Sequence, residues 1–293
     1  MKRGVACGVL AVAVVSIVAG VFVVRRIAVR DAENARGEMY RGYGIFADGS
    51  RLFVPLPPML AHNGARAALG RQLFNDRRLA CSQRLVCGAC HWLGAGGTDS
   101  KTHHGILTRP AYNAVFATCY LHDGSMTNLR DVVRMMVETP QFCGGGSLAV
   151  VEAKIAPDAS LVRRFQSAYE SEGGFNGTNV VDSVVEYMKT LITSGTPYDF
   201  WCAGHENSIG LEQRRGSEVF LAARCIECHD GPALGGRRVS GGRKVPSLRG
   251  LSLRKSYFAK GVEGDLDVVV RRMPGGELTP EDGKAVKAFL QVL

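Results

Sequence analysis

Acidic side chains are absent from residues 1–30, which nonetheless hold Lys2, Arg3, Arg25, Arg26 and Arg30. The formal charge of +9 is therefore concentrated at the start of the chain: from residue 31 onward the remaining 31 basic groups face all 27 acidic ones, leaving +4. No basic cluster with interleaved aromatics stands out, so no nucleic-acid partner is expected. Proline is scarce as well, 11 residues against 36 glycines. That balance favours many loops between short elements over long regular bundles. With 46% hydrophobic and 22% charged residues, the 293-residue chain is neither disordered nor collagen-like. It is long enough for one large or two ordinary domains with real cores.

The one long apolar run lies between Lys2-Arg3 and Arg25-Arg26, from Gly4 to Val24. Twenty-one residues at about 1.5 Å each reach roughly 31 Å, the thickness of a bilayer core. No convincing small-residue cleavage site follows, so an uncleaved signal anchor is expected over a removed peptide. A buried core helix fits poorly, because neither face carries a polar stripe. The flanking charges are similar on both sides and do not set the orientation.

Nine cysteines in an exported chain would first suggest disulfides. Four of them instead form two copies of one pattern, Cys87-Gly88-Ala89-Cys90-His91 and Cys225-Ile226-Glu227-Cys228-His229. Two thiols one helical turn apart can add to the two vinyl groups of one haem, and the next residue's imidazole then lies under the iron. A four-Cys zinc site needs neither the 138-residue separation nor the two histidines. A thioredoxin-like dithiol does not account for a second copy. Two covalently bound haem c groups are therefore expected, with His91 and His229 as proximal ligands.

The motifs sit inside a longer repeat. Leu69-Gly70-Arg71-Gln72-Leu73-Phe74 precedes the first and Arg215-Gly216-Ser217-Glu218-Val219-Phe220 the second. Each reads as a helix whose glycine lets another helix cross closely while the phenylalanine packs at the crossing. Downstream, Tyr120 through Met136 can be laid over Tyr257 through Met273. Each unit also has a closing helix. In the second, Thr279-Pro280-Glu281-Asp282 supplies an N-cap, a proline at the first helical position and acids near the positive end. In the first, Val180 to Ile192 has helical apolar spacing, and Gly195-Thr196-Pro197 reads as the linker. The expected architecture is mainly α, two cytochrome c-like haem domains in tandem behind a transmembrane anchor helix. Its boundaries are 1–30 anchor, 31–55 linker, 56–196 first haem domain and 197–293 second.

The face of each iron opposite its proximal histidine decides between reactivity and electron transfer. Met273, followed by Pro274, is the expected second ligand of the second haem. For the first, Met136 holds the equivalent repeat position, and His103 and His104 lie on a polar, Gly-flanked loop that could fold over it. Arg109 and Arg249 are reasonable propionate partners. The cysteines outside the motifs and the anchor, Cys81, Cys119, Cys143 and Cys202, could form two disulfides. Covalent haem attachment takes place outside the bacterial inner membrane, which puts the globular part in the periplasm.

The chain resembles the bacterial di-haem cytochrome c peroxidase family, which includes the MauG-type enzymes. The resemblance runs from about Pro57 to Leu293, through Leu69-Gly70 to Phe74, Cys87 to His91 with Gly94 to Gly97, and Asn113 to Phe116. It continues in Cys225 to His229, Leu234 to Gly236, Val245 to Arg249 and Tyr257-Phe258. It implies an electron-transfer haem on His229 and Met273 and a peroxidatic haem on His91, with His104 as displaceable distal ligand. Hydrogen peroxide would be the substrate. A small periplasmic cytochrome c, a cupredoxin or a quinol-linked protein would be the donor, and a homodimer is a possible assembly. The family's Trp between the haems is replaced by His122, and its distal Gln and Glu fall on Val132 and Phe142, neither of which can move a proton. Glu138 or His122 are the substitutes within the catalytic set. The Asn expected to help hold calcium is missing near Leu107 to Pro110, which leaves calcium doubtful. The alternatives are a non-peroxidatic electron-transfer or redox-sensing cytochrome and a MauG-like oxidase of a partner protein, the latter disfavoured by Met273.

Overall fold

A computed structural model describes residues 53–80, 85–103, 105–140, 146–258, 260, 262–263, 265–273 and 278–293. The expected anchor and nearly all of the linker behind it, with Cys81, His104, Phe142 and Cys143, lie outside the described residues. Among those described, no helix is long and apolar enough to cross a membrane. Val54–Leu293 form one compact unit.

The unit is mainly helical, and its helices are short. They are α1 (Gly64–Phe74), α2 (Cys87–Cys90), α3 (Leu129–Glu138), α4 (Leu148–Ile155), α5 (Ala159–Ala168), α6 (Gly177–Met188), α7 (Pro197–Cys202), α8 (Leu211–Ala222), α9 (Leu266–Arg271) and α10 (Pro280–Leu290). Three small antiparallel hairpins punctuate them: β1–β2 (Thr102–His103 with Ile106–Leu107), β3–β4 (Val239–Ser240 with Arg243–Lys244) and β5–β6 (Ser256–Tyr257 with Val262–Glu263). Polar side chains start most of the helices. Asn63, Asn128, Ser147, Asp158, Asn176, Thr196, Asp265 and Thr279 each accept a first-turn N–H that has no partner within its helix.

Two helix crossings of the same design organise the chain. In the first, α1 lies on α6 so tightly that a Cβ on Gly70 would fall 1.8 Å from the Ser183 carbonyl oxygen. In the second, α8 lies on α10, and a Cβ on Gly216 would fall 1.9 Å from the Ala285 oxygen. Four residues beyond each glycine the phenylalanine meets an aromatic ring of the opposite helix edge-on: Phe74 with Tyr187 at 5.5 Å and Phe220 with Phe289 at 5.6 Å. The first core closes around this crossing with Val133 and Val137 of α3, Val151 and Ile155 of α4, and Leu161 and Phe165 of α5. In the second, Leu266, Val269 and Val270 of α9 are buried along with Val286 and Leu290 of α10.

The sequence expectation for α10 matches the structure, with Thr279 as cap and Pro280 at the first position. The other closing helix starts earlier than Val180 and stops short of Ile192, because the Asn176 side chain accepts from Asn179 N at 2.9 Å and nucleates the turn upstream. Gly195-Thr196-Pro197 is more than a linker. Thr196 and Asp199 form a reciprocal cap of α7, and the Asp199 carboxylate also accepts from Leu56 N (2.9 Å) and Arg249 Nη2 (2.5 Å). Arg249 is fully buried, stacked 4.7 Å over the Tyr198 ring. Two disulfides among the four remaining cysteines are ruled out, because Cys119 is a buried thiol donating to the Gly236 carbonyl.

These contacts set two expectations. Gly70→Ala should cost about 3 kcal/mol or more, since backbone rather than a flexible side chain must give way; a loss below about 1 kcal/mol in urea unfolding would contradict the crossing. Asp199→Asn should cost about 3–5 kcal/mol by leaving the Arg249 charge buried without a counter-charge. An unchanged urea midpoint would show that the pair is not holding this corner together.

Candidate haem centres

Both Cys-x-x-Cys-His segments fold back on themselves in the same way. His91 N donates to Cys87 O and His229 N to Cys225 O, each at 2.9 Å, so the two thiols and the imidazole of each motif share one turn. All four cysteines are half-buried. Behind each imidazole stands the phenylalanine of the helix crossing: Phe74 lies 6.5 Å from His91 and Phe220 6.4 Å from His229.

The ring nitrogens of the two histidines have distinct tasks. His91 Nδ1 lies 2.9 Å from the Arg109 carbonyl oxygen, and His229 Nδ1 lies 3.3 Å from that of Leu234. A carbonyl oxygen only accepts, so Nδ1 carries the proton and Nε2 keeps its lone pair free for a metal. Burial holds both imidazoles below the ordinary histidine pKa, which keeps them in this neutral form. Leu234 reaches its place because the chain doubles back at Gly235. A Cβ there would fall 2.1 Å from the Pro246 oxygen, and φ is +134°.

Between the two repeats lies a seam of backbone bonds and cations. Lys244 N donates to His122 O at 2.8 Å, and Thr118 N and Cys119 N both donate to Gly236 O. Arg109 reaches across to His122 Nδ1 (3.1 Å) and the Lys244 carbonyl (3.4 Å). His122 Nδ1 is therefore the acceptor, and burial with the neighbouring Arg109 and Arg243 lowers its pKa.

The other expected site residues are placed as follows. Met136 is half-buried on α3, and Met273 is half-buried one turn past α9. Glu138 pairs with Arg134 at 3.0 Å on the outer side of α3. His103 is exposed and held by Asp99 at 2.7 Å, close to Cys90. His104 is outside the described residues. Arg249, read from sequence as a propionate partner, is fully buried. Its Nη2 is taken by Asp199, Thr196 and the Thr193 carbonyl.

Sequence reasoning missed Arg254 and Lys244. A signal was present: residues 231–262 hold eight basic side chains and no acidic one. Among the described residues, the buried nitrogens without a partner are Arg214 Nε on α8 and, from this segment and the seam it joins, Arg109 Nε, Arg249 Nε and Nη1, and Arg254 Nε. A cofactor bearing carboxylates fits such a set. Two thiols and one Nε2 lone pair in each motif fit its macrocycle and its iron.

A sequence model of the di-haem cytochrome c peroxidase family matches residues 64–207. A cytochrome c peroxidase of Escherichia coli is 31% identical over 281 residues, 82% of this chain, which spans only 60% of that protein's length. The cytochrome c551 peroxidase of Nitrosomonas europaea is 25% identical over 296 residues, 88% of each chain. Among solved structures, a MauG-like protein associated with microbial copper homeostasis superposes with a TM-score of 0.69 at 17% identity, over 81% of this chain and 93% of that one. The twin motifs, their shared crossings and these matches agree: the chain belongs to the bacterial di-haem cytochrome c peroxidase and MauG family.

Proposed function

We propose that the protein is a periplasmic di-haem c-type oxidoreductase, held to the bacterial inner membrane by residues 1–30, that reduces hydrogen peroxide to water. The observation that carries this reading is the pair of imidazoles, His229 buried and His91 half-buried, whose Nδ1–H groups are spent on backbone carbonyls, each directly after two cysteines. Cys87 and Cys90 would hold one haem and Cys225 and Cys228 the other, one in each of two tandem domains meeting near residue 196. His91 and His229 would be the proximal ligands. When bound, two irons store the two electrons that the reaction H2O2 + 2e⁻ + 2H⁺ → 2H2O consumes.

The chain's own groups divide the remaining work. Met273 would complete the second site and favour electron transfer there. His104 or Met136 would face the first iron, with His104 as the residue that yields to substrate. Proton transfer falls to His122 or Glu138. His122 offers its Nε2, because Arg109 holds Nδ1 as an acceptor, whereas Glu138 must first leave Arg134. A small periplasmic redox protein, a cytochrome c or a cupredoxin, is the proposed donor, with a quinol-linked one as the other choice. No calcium is assigned.

A second reading has a specific observation behind it. Half-buried Val132 on α3 stands where the resemblance places a proton-moving Gln. A first iron closed by His104 or Met136 would leave an electron-transfer or redox-sensing cytochrome.

Purified protein should carry the mass of two haems and consume one peroxide per two electrons from a reduced donor, with a peroxide-reactive high-spin iron after one-electron reduction. Failure of that iron to appear, together with no peroxide consumption, would leave the electron-transfer reading. Met273→Leu should abolish the Met-to-iron absorption band and lower the potential of one haem only; a band that persists would remove Met273 from the site.

A further inference from the structure

Cations gather at the seam without anions to match them: among the described residues Arg254 is buried, and Arg109 and Lys244 are half-buried. Arg254 is 8% exposed, and its two terminal nitrogens donate to the uncharged carbonyls of Ser247 (3.0 Å) and Arg249 (2.8 Å), while Nε has no partner among the described residues. Arg109 spends Nη2 on His122 and on the Lys244 carbonyl, and its Nε likewise has no partner among the described residues. The Lys244 ammonium lies 5.0 Å over the Tyr120 ring centroid. The three are close enough for the Arg109 charge to lower the pKa of both others, Lys244 to about 8 and Arg254 to about 10, with burial the larger cause in each. None of the three forms an ion pair among the described residues. The one carboxylate buried nearby, Asp199, is taken by Arg249, Thr196 and Leu56 N.

Burying a charge without a counter-charge costs far more than a surface ion pair returns. A chain that gathers one buried and two half-buried charges of this kind in one place suits an anion there. The two repeats contribute crosswise. Arg109 of the first repeat also holds the His91 Nδ1 proton through its carbonyl, yet its guanidinium reaches Lys244 of the second. Arg254 of the second repeat runs alongside Gly96 of the first, five residues after His91; a Cβ on Gly96 would meet Arg254 Cγ at 3.2 Å.

We propose that Arg109, Lys244 and Arg254 form a single cationic pocket that binds haem propionates at the seam, with Arg254 crossing from the second repeat to the haem of the first. The proposal rests on the di-haem reading. Its ligand chemistry is carboxylate, and guanidinium forks match that group in two hydrogen bonds. A cation beside a propionate also favours the reduced iron, so removing it stabilises the oxidised form.

The test is a spectroelectrochemical titration of the membrane-free or detergent-extracted holoprotein, after its mass has shown how many haems it carries. Arg254→Leu and Lys244→Met should each lower the midpoint of at least one haem, by about a tenfold change in its reduction equilibrium, about 59 mV for one electron. Arg254→Lys, which keeps the charge but not the fork, should recover more than half of the shift. If Arg254→Leu does not accumulate as folded protein, Lys244→Met decides alone. Two haems present and both midpoints within twofold of the parent equilibrium would overturn the pocket while leaving the di-haem reading intact. A parent midpoint that moves on exchanging chloride for phosphate at constant ionic strength, with the variants insensitive, would assign the pocket to a mobile anion and overturn it equally. Absence of covalent haem from the parent would remove both.

Discussion

A backbone carbonyl accepting the Nδ1 proton of a motif imidazole is the contact on which the rest of this molecule depends. It fixes the tautomer of His91 and of His229, turns each Nε2 outward with a lone pair, and does so without a titratable partner. Each carbonyl must therefore be delivered to its place by folding. Arg109 arrives on the loop that returns from the β1–β2 hairpin, and Leu234 on the tight reversal at Gly235. The Phe74 and Phe220 rings, positioned by the two helix crossings, back the same imidazoles. The crossings, the reversals and the tautomers are thus one arrangement built twice.

The seam between the copies follows a different logic. Within each repeat burial is apolar, but between them it is polar and positively charged, with Arg109, Lys244 and Arg254 set among carbonyls. Arg249 shows the contrast. It is the most deeply buried of the four, and its charge is met by Asp199, whose carboxylate also ties down the cap of α7 and the start of the compact unit at Leu56. Arg249 closes the fold through Nη2, while its Nε and Nη1, like Arg109 Nε and Arg254 Nε, have no partner among the described residues.

Much of this was legible in the residues alone. The repeated Gly-to-Phe spacing foretold both crossings, because a missing side chain beside an aromatic has few other uses on a helix, and Thr279-Pro280 fixed the start of α10 through capping chemistry. The start of α6 was not legible from apolar spacing, since a polar cap at Asn176 rather than the first apolar residue sets it. The contact of Arg249 with Asp199 was not legible, because a sequence does not show which carboxylate will be near. Asp199 lies fifty residues away and meets it only after the linker folds. Arg254 and Lys244 escaped for the related reason that burial of a long cationic side chain is decided by contacts between repeats. His122 was flagged as a replacement, but its bond to Arg109 depends on the side chain's final direction.

The two glycine crossings bear on how such a chain tolerates divergence. At Gly70 and Gly216 the neighbouring atom is main chain, so no compensating change in a partner residue can open room for a larger group. Most surface and loop positions carry no comparable restriction. Drift is then channelled away from a few such points, Gly235 against the Pro246 oxygen among them, and a common shape can persist through wide sequence difference, as the superposition at 17% identity illustrates.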